Sequence, residues 1–176
     1  DSQVVLRQSP ELTQLSQAMN AMTADLRDRL RIRQSLALAM DVQRNLLPRR
    51  TPMIPGLDVA GHSIYCDETG GDYYDYLDLF ALPEQAIAVA LGDVTGHGVA
   101  AAMVMATARG ILRSQSSHHG SLSGLLDHMN DLLVDDSESG RFMTMLLMVI
   151  DPNRREMRWA SAGHDMPFIF EGGTGR

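Results

Sequence analysis

Apolar residues in the first third of the chain recur at helical spacing. Leu12, Leu15, Met19, Met22 and Leu26 follow one another at steps of 3, 4, 3 and 4, the a/d seam of a coiled coil. Leu30 comes one step of 4 later, where the heptad calls for 3, which fits a stutter that locally unwinds a supercoil. From Pro10 to about Leu47 there is neither glycine nor a further proline, so the pattern predicts one helix of nearly 40 residues, roughly 55 Å long at 1.5 Å per residue. A narrow apolar stripe on so long a helix expects a copy of itself. The alternative is a helix folded back on its own domain. Pro48, Pro52, Pro55 and Gly56 end the run.

Beyond that point the period changes to two. Leu57–Tyr65 reads as a short strand. Asp72–Phe80 and Ala86–Asp93 read as a hairpin turning at Ala81-Leu82-Pro83-Glu84. Val99–Ser116 and Ser121–Asp135 carry helical spacing. Phe142–Ile150 and Glu156–Ser161 form a second hairpin across Asp151-Pro152-Asn153, and Pro167–Phe170 is a last strand. Strands, two helices, then strands again predict an α+β fold with helices on antiparallel sheet. The turn signal Glu171-Gly172-Gly173-Thr174-Gly175 calls for a partner strand that the 176 residues do not supply, and the helix starts equally abruptly. Both ends read as cuts in a longer protein.

Composition narrows the function classes. At 44% hydrophobic and 21% charged residues the chain can bury a core. Its net charge is −7, with fifteen basic residues, all arginine. The chain lacks the positive face that nucleic acid requires. No apolar run reaches the length of a membrane span. The single cysteine, Cys66, excludes an internal disulfide and any multi-cysteine zinc site. A cytoplasmic setting fits, with a membrane reached only through an upstream segment.

Two glycine-flanked aspartates carry the candidate chemistry: Gly70-Gly71-Asp72-Tyr73-Tyr74-Asp75 and Gly92-Asp93-Val94-Thr95-Gly96-His97-Gly98. With the turn at Leu82-Pro83, Asp72 lies directly opposite Asp93 and on the same face. Opposed residues on antiparallel strands stand roughly 4.5–5.5 Å apart at Cα. Carboxylates that close repel, unless one is protonated or a cation sits between them. Flanking glycines allow the close backbone approach that a hard, oxygen-ligated cation needs. Alternatively, both are ordinary turn residues at strand ends.

Together with Gln43-Arg44-Asn45-Leu46-Leu47-Pro48 and Ala160-Ser161-Ala162-Gly163-His164, these segments resemble the SpoIIE/RsbU-like branch of the PPM family, the metal-dependent serine/threonine phosphatases of the 2C class. The resemblance extends over about Ala39–Gly175. It implies an α-β-β-α sandwich of two antiparallel sheets between helices, here truncated and preceded by the long coiled-coil helix. It also implies removal of phosphate from phosphoserine or phosphothreonine on a signalling protein such as an anti-sigma-factor antagonist, with two Mn²⁺ or Mg²⁺ ions and a bridging water. By position, Asp72 and Asp93 match metal-bridging aspartates, and the backbone carbonyl of Val94 a further ligand. The family's later Tyr-Thr-Asp-Gly motif and C-terminal acidic ligand have no counterpart before Arg176, so the resemblance implies half a metal site and an inactive chain by itself.

Glu11–Met22 resembles the second helix of a HAMP domain, although Pro10 and Thr13 replace the usual aspartate and glycine. The implied organisation is a partial HAMP-like signalling helix at 1–34, a linker helix at 35–50 and the N-terminal part of the phosphatase domain at 51–176. A homodimer would form through Leu12, Leu15, Met19, Met22 and Leu26, acting on a phosphoprotein. The reading from another class is a non-catalytic dimeric docking module on a degenerate phosphatase fold. Among the remaining candidates, His97 reads as solvent-exposed and His164 as structural. The neighbours His118 and His119 face apart, Asp75 and Asp78 read as surface strand residues, and the twelve methionines as core filler.

Overall fold

A computed structural model describes residues 9–64, 70–79, 82–117, 120–136, 140–170 and 172. Helix α1 runs from Pro10 to Leu46, and α2 and α3 cover Val99–Gln115 and Leu122–Asp136. Strands β1 (Tyr73–Leu77), β2 (Ile87–Val94), β3 (Met143–Asp151) and β4 (Glu156–Ala162) complete the regular elements. The chain divides into two units, 1–40 and 41–176.

Helix α1 begins where local chemistry dictates. Ser9 accepts the Leu12 amide on its hydroxyl at 3.3 Å, satisfying one of the unpaired N–H groups of the first turn, and Pro10 supplies a preset φ at the first helical position. In the first unit the seam side chains are open to solvent: Leu15, Met19, Met22 and Leu26 are between 42% and 60% exposed.

In the second unit the four strands form one antiparallel sheet in the order β1-β2-β3-β4. Tyr73 pairs with Gly92 and Leu77 with Ala88, the register that the Leu82-Pro83 turn predicts. One face carries Tyr73, Asp75 and Leu77 of β1, Ala88, Ala90 and Val94 of β2, and Met145, Leu147 and Val149 of β3, all buried. Against it pack Ala101, Met105, Ala108 and Leu112 of α2, and Leu125, Leu126 and Met129 of α3. Alanines at two of the four α2 positions bring that helix close to the sheet, and the side chains that follow them fill the remaining space. Leu46 and Leu47 reach the same core. The β3–β4 turn is held by Asp151, whose Oδ1 accepts the amides of Asn153 and Arg154, both at 3.0 Å.

Several sequence expectations are corrected. Residues 57–64 are irregular apart from a single bridge between Ile54 and Leu57, and 164–170 form no strand. Neither segment finds a ladder partner among the described residues, and an unpaired run does not become a strand on propensity alone. Phe168, Ile169 and Phe170 are accordingly exposed. For the same reason the described residues make one sheet, not the two of the expected sandwich. Asp75 is not a surface residue: period two places it on the helix-covered face, with no exposure at all. Met105, Met129 and Met145 are core filler, whereas Met53, Met103 and Met166 are exposed. Cys66, His118 and His119 lie outside the described residues.

Candidate functional site

The second sheet face carries Tyr74 and Tyr76 of β1, Val89 and Leu91 of β2, and Met148 and Ile150 of β3. With Val59–Ile64 above them, these side chains line an open cavity of about 560 Å³. The 59–64 segment sits directly on the tyrosines. Tyr74 Oη donates to the Gly61 carbonyl at 3.2 Å, and a Cβ on Gly61 would stand 2.6 Å from the Tyr74 ring. The two tyrosine rings meet edge to face with centroids 6.1 Å apart.

Asp72, Asp93 and His164 also line this cavity. Continuing the Tyr73–Gly92 pairing by one residue sets Asp72 opposite Asp93. The carboxyl groups meet: Asp72 is held above the ordinary carboxylate range, first by partial shielding from water and then by the Asp93 charge, and Asp93 is also its hydrogen-bond partner. The backbone around them is tightly set. Gly71 is buried against Val94, and a Cβ there would stand 2.5 Å from the Val94 carbonyl oxygen. After Asp93, the Thr95 amide donates to the Phe142 carbonyl at 2.9 Å, and Gly96 and Gly98 take φ of 86° and 84° into the start of α2. Thr144, which pairs with Asp93 across β2–β3, has its hydroxyl 2.8 Å from His164 Nδ1. His97 is exposed.

These donors suit a hard cation in kind: two carboxylates close enough to influence each other, at strand ends where Gly71 packs on the Val94 backbone. Among the described residues no group of three or more His, Cys, Asp or Glu side chains converges. The raised pKa of Asp72 gives a pH prediction. Asp72 stays protonated more readily in the folded chain than the 3.8 of a free aspartate, so folding is favoured at low pH and loses that contribution as pH rises through the folded value. Asp72→Asn should therefore raise Tm at pH 7, and the gain should vanish below about pH 3.8. Thermal melts across pH 3–8 measure this, and a variant less stable than the parent at pH 7 would contradict the carboxylate repulsion.

Asp75 belongs to a different arrangement, which sequence reasoning missed. Arg113 of α2 grips it in a two-pronged ion pair, Nε to Oδ2 and Nη2 to Oδ1, both at 2.7 Å. Tyr73 Oη donates to Oδ2 at 2.8 Å, the Tyr76 amide donates to Oδ1 at 2.9 Å, and Arg109 Nε stands 3.8 Å away. Burial, followed by the neighbouring Asp75 charge, pushes the Tyr73 phenol well up from its ordinary value. Asp75 thus ties β1 to α2 and points away from Asp72. A sequence signal existed in Arg109 and Arg113, four apart on one helix face.

The sheet and its two helices have a counterpart among PP2C domains of known structure. The SiaA-PP2C domain of Pseudomonas aeruginosa shares this fold at a TM-score of 0.55 and 23% identity, over 77% of this chain and 54% of that one. The chain belongs to the SpoIIE (Stage II sporulation protein E) family, whose profile matches residues 83–176 and so includes Asp93 and Val94. Phosphoserine phosphatase RsbU of Bacillus subtilis (strain 168) is 27% identical over 139 residues, 79% of this chain and 40% of that protein. Phosphoserine phosphatase RsbP of the same organism is 26% identical over 153 residues, 84% of this chain and 36% of that protein. The chain therefore spans well under half the length of these curated relatives.

Proposed function

We propose that the chain forms part of a metal-dependent serine/threonine phosphatase that removes phosphate from a signalling protein. The observation that carries this reading is the meeting of Asp72 and Asp93 on one sheet face. The match to phosphoserine phosphatases supports the chemistry. Asp72, Asp93 and the Val94 carbonyl would hold Mn²⁺ or Mg²⁺, which when bound activates water and draws charge from the phosphoryl oxygens. The chain's own part is to hold two carboxylates and one carbonyl in a fixed geometry, with the glycine turns leaving room for a phosphoryl group to approach.

Because two carboxylates and one carbonyl fall short of a full shell, the 176-residue chain should bind Mn²⁺ weakly and show no turnover of a phosphoserine peptide. Titration calorimetry with Mn²⁺ should give a heat that Asp93→Asn abolishes. Identical isotherms would remove the pair from metal binding and favour the docking-module reading. Robust Mn²⁺-dependent turnover by this chain would show that other residues complete the site.

The exposed seam of α1 supports a parallel homodimer that regulates the domain as a HAMP-type helix would. Burying each of Leu12, Leu15, Met19, Met22 and Leu26 contributes roughly 1.5–3 kcal/mol before ordering costs, which favours a dimer at micromolar concentration. Light scattering should report that dimer, and Met19→Asp with Met22→Asp should convert it to monomer. A wild-type monomer would count against the seam.

A further inference from the structure

Gln43, in the last turn of α1, is only 3% exposed although its neighbours Val42 and Arg44 are open to solvent. Its side chain ends on the backbone of one residue. Gln43 Nε2 donates to the Gly70 carbonyl at 2.5 Å, and the Gly70 amide donates to Gln43 Oε1 at 3.3 Å. A primary amide satisfies the N–H and the C=O of one residue at once because it carries a donor and an acceptor side by side. Neither a carboxylate nor an apolar side chain does so. The helix face that presents Gln43 also presents Leu46 and Leu47, which are packed into the core, so the amide is fixed at its base as well as its tip.

Gly70 is two residues before Asp72, and the residue between them is packed tightly against Val94. Gly71 lies so close to Val94 that a Cβ would meet that residue's oxygen, Cβ and nitrogen at 2.5, 2.7 and 2.9 Å. The path from Gln43 to Asp72 is therefore short and rigid: amide clamp, pinned glycine, carboxylate. We infer that Gln43 is a positioning residue, whose amide holds Gly70 so that Asp72 stands against Asp93 and beside the Val94 carbonyl. The inference rests on the metal-site reading of those three groups and adds the contact that sets their geometry.

The test uses Gln43→Glu, which keeps size and the acceptor but turns a carboxylate oxygen toward the Gly70 carbonyl, and Gln43→Met, which removes both hydrogen bonds. Two readouts are taken on the whole chain: Mn²⁺ affinity by calorimetry, and the amide resonances of Gly70, Gly71, Asp72 and Val94 by NMR without metal. Both variants are expected to fold, to weaken Mn²⁺ binding about tenfold, and to shift the resonances of Asp72 and Val94 as well as Gly70. Unchanged Mn²⁺ affinity with shifts confined to Gly70 would overturn the inference, because the clamp would then be local packing. Loss of folding in both variants would overturn it too, as a general structural role. If the wild-type chain takes up no Mn²⁺, the metal reading fails on its own, and the clamp stands or falls on whether Asp72 and Val94 move.

Discussion

Replacing Arg113 with methionine is expected to destabilise the fold by about 3–5 kcal/mol, the cost of leaving a buried charge without its partner. Asp75 has no solvent exposure, and both its oxygens are engaged by the guanidinium at 2.7 Å. In the variant it would keep the Tyr73 hydroxyl, the Tyr76 amide and the longer 3.8 Å ion pair to Arg109, too little to balance a full negative charge away from water. For a chain of this size the loss corresponds to a fall in Tm of roughly 10 °C or more. Removing both partners, Asp75→Asn with Arg113→Met, should cost less than removing Arg113 alone, since no bare charge then remains. Chemical denaturation of the four proteins gives the coupling. A single Arg113 variant within 1 kcal/mol of the parent, measured at pH 7, would mean that Arg109 or solvent replaces it without loss.

Gly71→Ala is expected to be the most damaging single methyl group near the site. Its Cβ would overlap main-chain atoms of Val94, which cannot rotate away as a side-chain end can. Overpacking of this kind costs about 1–3 kcal/mol, more where backbone must move. The displacement falls on the strand ends that bear Asp72 and Asp93, so Mn²⁺ heat should disappear even where the variant folds. Gly110→Ala is the matched control: it lies in α2 with nothing within 4 Å of the added carbon. There alanine should stabilise by roughly 0.5–1 kcal/mol through helix propensity. Denaturation midpoints and Mn²⁺ titrations of the two variants test the contrast. Equal stabilities would show that β1 and β2 separate without penalty at Gly71.

The α1 boundaries and the β1–β2 register were legible in the chain because both depend on local rules. Pro10 opens the helical run, the absence of glycine sustains it, and Pro48 stops it. Pro83 and strict alternation leave one pairing that puts apolar residues on a common face. The opposition of Asp72 to Asp93 follows from that same arithmetic, so the carboxylate pair could be read without coordinates. The alternation around Asp72-Tyr73-Tyr74-Asp75 also implied that the second aspartate turns to the other face. What it could not supply was a reason for burying that aspartate, since Arg113 is 38 residues away on a helix whose docking angle no local pattern encodes. Gln43 was hidden for the same reason, in a run of polar helix residues and 27 positions from the backbone it holds. Leu57–Tyr65 and Pro167–Phe170 erred in the opposite direction, because strand propensity describes a segment while a strand exists only with a neighbour. Periodicity and capping are properties of consecutive residues and are written in their order. Which buried charge meets which arginine, and which amide closes on which peptide group, was decided only when α1, α2 and the sheet were brought together by packing.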